Sequence, residues 1–341
     1  MGAVKIALDA MGGDASPSVE IEGALAACAE FDLELILVGD EKKISNELER
    51  RRAIRKNISI FHTDQVVTME DAPSMVIRKK RNSSIWKATE LVRDKKASAV
   101  VSAGNTGAVM AAALFILNPL KGIDRPAIAA IFPTLKNPVI IIDVGANVDC
   151  KPKHLFQFAV MGDVYARRIF GIEKPRIGLL SNGEEDTKGN DLTKETFKWM
   201  KNGLSGFIGN VEGKEIFKGD TDVIVCDGFV GNVLLKTSEG LSDAMFKLLR
   251  SEIGRSSPFG KLGYSLMKET LLRFKKRVDY SEYGGAPLLG VNGITVICHG
   301  SSTPKAIKNA LGRAKNLVEQ EVNNYIQEEI EATLNPGTGL A

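Results

Sequence analysis

The stretch Val4-Lys-Ile-Ala-Leu-Asp9-Ala-Met-Gly-Gly-Asp14 decides the fold, because a short apolar run ends there in a polar turn that carries glycine. A run that is apolar at nearly every position is typical of a strand covered by helices on both faces. Longer helical stretches separate this run from later ones of the same kind, and the alternation predicts an α/β fold, with a largely parallel sheet and helices on both faces. The later runs are residues 33–39, 97–102, 139–143, 176–181, 222–227 and 294–298.

Composition indicates an ordinary globular protein of 341 residues, 44% hydrophobic and 26% charged. No linker or repeat interrupts it, so we expect one α/β catalytic unit over residues 1–331, with an amphipathic helical insertion at about 254–280 and a mobile tail over 332–341. No stretch approaches the ~20 apolar residues that span a bilayer, and the apolar run at the N-terminus is too short for a signal peptide. We therefore expect a cytoplasmic protein, soluble or peripherally attached to a membrane.

Several classes of site are unsupported. The four cysteines and three histidines are widely spaced, which argues against a metal site and favours reduced thiols. No Walker A loop, G-x-G-x-x-G fingerprint or G-x-S-x-G elbow occurs, so we expect neither a nucleotide cofactor nor a serine hydrolase. A net charge of +3 is too small to indicate nucleic-acid binding.

Six of the predicted strands end in loops that carry glycine beside short hydrogen-bonding side chains. Glycine lets backbone N–H groups approach a ligand closely, and the helix N-terminus that follows favours an anion. One such loop is usually no more than a tight turn, but six on one rim of a parallel sheet predict a phosphate or other oxyanion site. The loops begin at Asp9, Ser102, Asp143, Ser181, Asp227 and Cys298.

Five of these segments, in this order, resemble the signature of the phosphate acyltransferase (PlsX) family. They are Asp-Ala-Met-Gly-Gly-Asp, Ser-Ala-Gly-Asn-Thr-Gly, Asp-Val-Gly-Ala-Asn, Gly-Glu-Glu-Asp-x-Lys-Gly-Asn and Gly-Phe-Val-Gly-Asn, and the resemblance runs from Val4 to about Glu331. This chain departs from the family at Ala15, where histidine is frequent, and at Ser181, where asparagine is frequent. Those departures question a role for these two side chains.

The resemblance implies a reaction and a fold. The reaction transfers a fatty acyl group from acyl carrier protein to inorganic phosphate, and the acyl phosphate enters phospholipid (glycerolipid) synthesis. The fold would resemble isocitrate and isopropylmalate dehydrogenases and phosphotransacetylases. The protein would be a homodimer without a cofactor, peripherally bound to the inner face of the cell membrane, where a downstream membrane acyltransferase takes its product.

Attack of phosphate on a thioester requires a cation and neutral donors that hold an anion beside a developing oxyanion. We predict Lys188 as the catalytic cation and Asn232 as a catalytic donor; the alternatives are a solvated lysine and a helix cap. For several others, a structural or capping role is an open alternative. The residues expected to bind phosphate or substrate are Asp9, Gly12, Gly13, Ser102, Gly104, Asn105, Thr106, Asp143, Asn147, Gly183, Glu184, Gly231 and His299.

A second surface is predicted near the C-terminal third, where residues 258–276 form an amphipathic pattern. The pattern fits a helix that lies on anionic lipid or a dock for the acidic carrier protein, and a helix packed on the core or on a dimer partner fits as well. The contact residues expected are Phe259, Leu262, Leu266, Met267, Leu271, Phe274, Lys275 and Lys276.

The residues alone leave three other functions possible. A transferase that uses acetyl-coenzyme A would share the fold, and so would a metal- and nicotinamide-dependent dehydrogenase, although the strand-end carboxylates are scattered here. A non-catalytic scaffold that binds acyl carrier protein is the third.

Overall fold

The computed structural model describes residues 3–53, 56–255, 258–278 and 283–333. Five of the eleven strands are buried along their whole length, and four others are buried over much of it, which agrees with the apolar runs of the sequence. The strands are β1 (Val4–Asp9), β2 (Leu33–Gly39), β3 (Ile58–His62), β4 (Ala99–Ser102), β5 (Ala127–Phe132), β6 (Val139–Ile142), β7 (Ile177–Ser181), β8 (Phe207–Glu212), β9 (Val223–Val225), β10 (Ala286–Leu289) and β11 (Ile294–Ile297).

Helices connect the strands and cover both faces of the sheet. A π-helical turn, Ala113–Leu117, extends the fifth of them, and a 3₁₀ turn, Gly213–Lys218, precedes β9. The helices are α1 (Ser18–Glu30), α2 (Glu41–Arg50), α3 (Pro73–Lys79), α4 (Ser84–Arg93), α5 (Thr106–Ala112), α6 (Pro152–Phe170), α7 (Asp191–Gly203), α8 (Gly228–Arg255), α9 (Pro258–Val278), α10 (Pro304–Glu319) and α11 (Val322–Thr333).

All eleven strands join one sheet in the order β3-β2-β1-β4-β11-β10-β5-β6-β9-β7-β8. Two strands at the centre of the sheet, β10 and β5, pair antiparallel with their neighbours. Strand β10 is antiparallel to β11 and to β5, and β5 is antiparallel to β6. The strands β3, β2, β1, β4 and β11 therefore run one way, and β6, β9, β7 and β8 run the other.

Two hydrophobic clusters lie on the two faces of this sheet. One is formed around α6, whose Phe156, Phe158 and Tyr165 are fully buried, and includes α1, α10 and α11. The other lies under α4 and α5 and contains Trp86. The predicted α/β class, with a largely parallel sheet between helices, is confirmed.

The structure adds four strands that the sequence reading missed and breaks one predicted helix. Strands β3 and β8 are edge strands with partly exposed side chains, β5 is rich in alanine, and β10 contains Pro287, so each carries a weak strand signal. The helix predicted over 304–331 is interrupted at Glu321, which has φ 49°, and so forms α10 and α11. The predicted tail falls almost entirely on residues 334–341, which lie outside the described residues.

Within the described residues, no helix is both long enough and apolar enough to cross a membrane.

Candidate active site

The six glycine-bearing loops do not share one rim, so that expectation was wrong. Parallel strands place their carboxyl ends at the same edge, but the antiparallel β10 and β5 reverse the second half of the sheet. The loops after β1, β4 and β11 leave one edge, and we call them the first loop group (residues 10–17, 103–105 and 298–303). The loops after β6, β7 and β9 leave the opposite edge and form the second loop group (residues 143–151, 182–190 and 226–227).

Asp9 ties together the first two loops of the first group. Its carboxylate is 1% exposed, and it accepts hydrogen bonds from the Ser102 hydroxyl at 2.7 Å and from the Met11 N–H at 3.2 Å. The Ser102 hydroxyl in turn accepts from the Gly104 N–H at 3.0 Å. The pKa of Asp9 is raised, because burial outweighs the lowering effect of its hydrogen bonds. The aspartate thus acts as an internal tie between β1 and β4.

Glycine at position 12 permits the two loops to touch. A Cβ at Gly12 would lie 2.6 Å from the Asp9 carboxylate and 2.8 Å from the Gly104 nitrogen, closer than any side chain tolerates. The predicted residues Asp9, Gly12, Ser102 and Gly104 therefore meet in one place.

The loop after β11 completes the first group. The Asp14 N–H donates to the Gly300 carbonyl at 2.9 Å, which joins this loop to the one that follows β1. His299 is exposed, and its Nδ1 lies 2.8 Å from the Ser301 hydroxyl. Gly13 also belongs here, because its N–H donates to the Ser16 hydroxyl at 2.7 Å.

Asn105 caps α5 and holds a neighbouring segment, so both ends of its amide are occupied. Its oxygen accepts from the Ala108 N–H at 3.1 Å, and its nitrogen donates to the carbonyls of Met69 at 2.8 Å and Asp71 at 3.2 Å. This gives Asn105 a positioning role. Thr106, which follows it, is exposed in the first turn of α5, where N–H groups have no partner inside the helix.

Glu20 is a buried acid beside the first loop group that the sequence alone did not reveal. It lies in the first turn of α1, where an acid is commonplace, but it is 1% exposed and packs against Gly13. Its Oε2 has no hydrogen-bond partner among the described residues. Burial raises the pKa of Glu20 to about 7, with a smaller contribution from the nearby Asp9 carboxylate; hydrogen bonds, chiefly from Ser16, oppose the rise.

Asp143 organises the second loop group by accepting five hydrogen bonds. The donors to its two oxygens are the N–H groups of Ile128, Gly145, Ala146 and Asn147 and the Asn147 side-chain amide, at 2.7–3.1 Å. The pKa of Asp143 is raised, because the effect of burial is larger than the lowering effect of these hydrogen bonds. Asp143 and Asn147 meet as predicted, but the carboxylate occupies the very N–H groups that an anion would need.

Helix α8 begins against this loop, three residues earlier than the sequence suggested. Asp227 caps it by accepting from the Val230 N–H at 3.0 Å, so Asn232 is not the cap. A Cβ on Gly231 would overlap the carbonyl oxygen of Asp143, which explains a glycine there. Asn232 is exposed, and its amide oxygen lies 3.6 Å from the position of a Cβ on Gly145.

Lys188 lies in the loop after β7 with its stem folded across Gly183. Cγ and Cδ of Lys188 lie 2.6 and 3.1 Å from the position of a Cβ on Gly183. Lys188 and Glu184 are exposed, and Lys188 forms no salt bridge within the part of the chain that the structure describes. Because β7 and β9 are neighbours, Lys188 in the loop after β7 and Asn232 near the start of α8, which follows β9, lie at the same edge of the sheet; neither is bonded to the first loop group among the described residues.

Helix α9 exposes several of the predicted contact side chains. Leu266 is 81% exposed, Met267 54% and Phe274 53%, whereas Leu271 is half-buried. Phe274 also packs on Phe246 of α8, with ring centroids 6.1 Å apart. The side chains of Phe259, Leu262, Lys275 and Lys276 lie outside the described part of the structure.

Comparison with known proteins supplies the family. A family model described as "Fatty acid synthesis protein" matches residues 4–325. A phosphate acyltransferase from Geobacter sulfurreducens is 55% identical over 328 residues, which cover 96% of this chain and 94% of the relative. This chain belongs to the phosphate acyltransferase family. It is an acyltransferase, as the resemblance of its five motifs implied.

Solved structures confirm the fold expected for the family. A phosphotransacetylase from Streptococcus pyogenes superposes with a TM-score of 0.61 at 18% identity, covering 93% of this chain and 94% of that one. A 4-hydroxythreonine-4-phosphate dehydrogenase from Klebsiella pneumoniae gives 0.53 at 14% identity, with coverages of 93% and 100%. The acyltransferase thus shares its architecture with transferases and with dehydrogenases.

The buried Glu20 predicts a pH dependence of stability. Its pKa of about 7 in the folded state exceeds the ordinary 4.5, so the fold favours the protonated acid. Its stabilising contribution is complete below about pH 4.5 and is lost as the pH rises to 7, a change of roughly 3 kcal/mol in the free energy of unfolding. Urea denaturation from pH 4.5 to 8 should show this decline in the wild type and not in Glu20→Gln.

Glu22→Gln is the matched control, because Glu22 is on the same helix and exposed. It should keep the wild-type pH profile. A Glu20→Gln profile parallel to the wild type would contradict the assignment.

Proposed function

We propose that this acyltransferase moves a fatty acyl group from acyl carrier protein to inorganic phosphate, and that the acyl phosphate serves phospholipid synthesis. The observation that carries the proposal is the 55% identity, over 96% of the chain, to a protein named for acyl transfer to phosphate. The family description, fatty acid synthesis, supports a fatty acyl donor.

The reaction makes one bond and breaks one. A phosphate oxygen attacks the thioester carbonyl, the carbonyl oxygen becomes an oxyanion, and collapse of the tetrahedral intermediate breaks the C–S bond. The carrier leaves as a thiolate and takes a proton from solvent. Phosphate is already an anion near neutral pH, so the enzyme has to position it and stabilise the oxyanion rather than generate a nucleophile.

The first loop group is the better place for the two substrates. Its three loops are joined by hydrogen bonds, and in the first turn of α5 the N–H groups of Thr106 and Gly107 have no partner among the described residues. In the second loop group, Asp143 already binds the N–H groups of Gly145, Ala146 and Asn147. We therefore assign the predicted binding roles of Gly12, Gly13, Thr106 and His299 to the reacting site.

A homodimer would supply the cation. Lys188 and Asn232 follow strands that end at the opposite edge of the sheet from the first loop group. Helix α8, which carries Asn232, exposes Phe229, Leu241 and Leu248 at 60–64%, an apolar surface of the kind that a second copy covers. In this proposal, Lys188 of one copy stabilises the oxyanion at the first loop group of the other.

The activity is tested by incubating the purified enzyme with a long-chain acyl carrier thioester, with and without phosphate. Acyl phosphate and free carrier thiol should appear together, and only with phosphate. Turnover of acetyl-coenzyme A, but not of the carrier thioester, would select the phosphotransacetylase reaction instead.

Lys188→Ala should lower kcat about 10²- to 10³-fold, the usual cost of removing one stabilising group from an oxyanion. Lys194→Ala is the control, because Lys194 is exposed one turn into α7, close in sequence to Lys188.

Gly12→Val, which separates Asp9 from Gly104, should inactivate the first loop group. Mixed dimers of the two inactive variants should regain roughly a quarter of wild-type activity, since half the dimers are mixed and each has one intact site. No recovery in mass-verified mixed dimers would refute sharing of Lys188 between copies.

Peripheral membrane binding is proposed for α9. Leu266 and Met267 are adjacent, exposed and apolar, and a basic run follows them along the chain. Leu266→Glu/Met267→Glu should lower sedimentation with anionic vesicles at least tenfold and leave turnover in solution unchanged. Lys236→Glu on α8 has an exposed site and is the charge control. Equal sedimentation of the Leu266→Glu/Met267→Glu variant and the wild type would remove the support for α9 as the membrane surface.

A further inference from the structure

A segment without an assigned role covers the first loop group. It connects β3 to α4, contains α3, and we call it the cover segment (residues 63–83). Asn105 binds its carbonyls at Met69 and Asp71, the Met69 side chain packs on Gly300, and Pro73 packs on Gly107. The cover segment therefore touches the loops after β4 and β11 directly.

The cover segment is a built element. Val67 and Val76 are buried in the hydrophobic cluster under α4 and α5. Lys80 donates to the Asp71 carboxylate at 2.5 Å and to the Val66 carbonyl at 2.9 Å, and it holds the pKa of Asp71 below its usual value. These contacts fix α3 relative to the candidate active site.

Three cations stand on the outer side of the cover segment without acidic partners. Arg78, Lys79 and Arg81 are exposed, and none forms a salt bridge with the residues that the structure describes. Arg81 is held in place: its Nε donates to the Ile77 carbonyl at 2.7 Å, and its guanidinium lies 5.6 Å from the centre of the Trp86 ring. Met75 on the same short helix is 37% exposed, which places an apolar side chain beside the cations.

A structural role explains only part of this arrangement. Arg78 and Lys79 lie in the last turn of α3, where positive charge stabilises a helix. That role does not require Arg81, which lies beyond the end of α3. A surface of three unpaired cations around an apolar side chain is what an acidic protein recognises, because like charges on the enzyme are neutralised when the partner docks.

We propose that the cover segment, through Arg78, Lys79 and Arg81, is the docking surface for the acidic face of acyl carrier protein. The inference rests on the proposed function and specifies where the donor binds. Helix α3 spans about 10 Å from Pro73 to Lys79, and Pro73 contacts the start of α5. The carrier would thus dock one short helix away from the loops that receive its thioester.

The test reverses the charge of two cations, with Arg78→Glu/Lys79→Glu as the variant. The KM for the long-chain acyl carrier thioester should rise tenfold or more, while kcat and the KM for phosphate stay the same. The KM for the same acyl group on pantetheine, which has no carrier protein, should not change, and this also shows that the variant is folded. Raising the salt concentration should raise the wild-type KM for the carrier thioester towards that of the variant, because salt screens the attraction between the charges.

Lys95→Glu/Lys96→Glu is the matched control. It makes the same change in net charge with two exposed lysines just before β4, at the opposite edge of the sheet from the first loop group. Its kinetics should be those of the wild type. Equal rises in KM in both double variants would show a general effect of net charge and overturn the proposal.

Two further outcomes separate this inference from the proposed function. If the wild type uses the carrier thioester and Arg78→Glu/Lys79→Glu does so with an unchanged KM, the docking surface is refuted and the reaction stands. If the wild type makes no acyl phosphate from the carrier, both fall. Loss of binding to anionic vesicles, with unchanged carrier KM, would identify the cover segment as a membrane surface and contradict carrier docking.

Discussion

The antiparallel pairing of β10 and β5 at the centre of the sheet determines where every candidate functional loop lies. In an open parallel sheet all strand-end loops would gather on one edge, where they would form a single ligand site. Here β10 is antiparallel to β11 and to β5, and β5 is antiparallel to β6. The loops after β6, β7 and β9 therefore leave the other edge. The chain thus carries two loop groups at opposite edges of one sheet.

Buried aspartates give each group its shape. Asp9 in the first group and Asp143 in the second are essentially inaccessible, and each binds donors from its own and a neighbouring chain segment. An unpaired carboxylate would be costly at such depth, so these hydrogen bonds fix the loops firmly. The difference lies in what remains free: Asp143 binds three consecutive N–H groups of its loop, whereas Asn105 binds only the Ala108 N–H at the start of α5, and those of Thr106 and Gly107 have no partner among the described residues.

The sequence predicted the fold class because β1, β2 and their equivalents are largely apolar runs, most of them followed by a loop that carries glycine. It could not predict the direction of the central strands, since the signal of β5, with three alanines among six residues, and of β10, with Pro287, is weak. Asp9, Gly12, Ser102 and Gly104, which meet in one place, were found from the loops that carry them. Glu20 and the cover segment were missed because one looks like an ordinary helix-start acid and the other like a solvated basic run; only tertiary contacts distinguish them.

Burial also changes the charge that an approaching phosphate meets. Asp9, at the end of β1, and Glu20, in α1, lie beside the first loop group, and two carboxylates there would repel an anion if both were ionised. Burial raises the pKa of both, that of Glu20 to about 7, which favours their neutral forms. Three exposed cations on the adjoining cover segment form no salt bridge with any acid in the described part of the chain. Protonation of the two buried acids therefore makes this edge of the enzyme less negative than its residue types suggest, which favours an anion such as the phosphate of the proposed reaction.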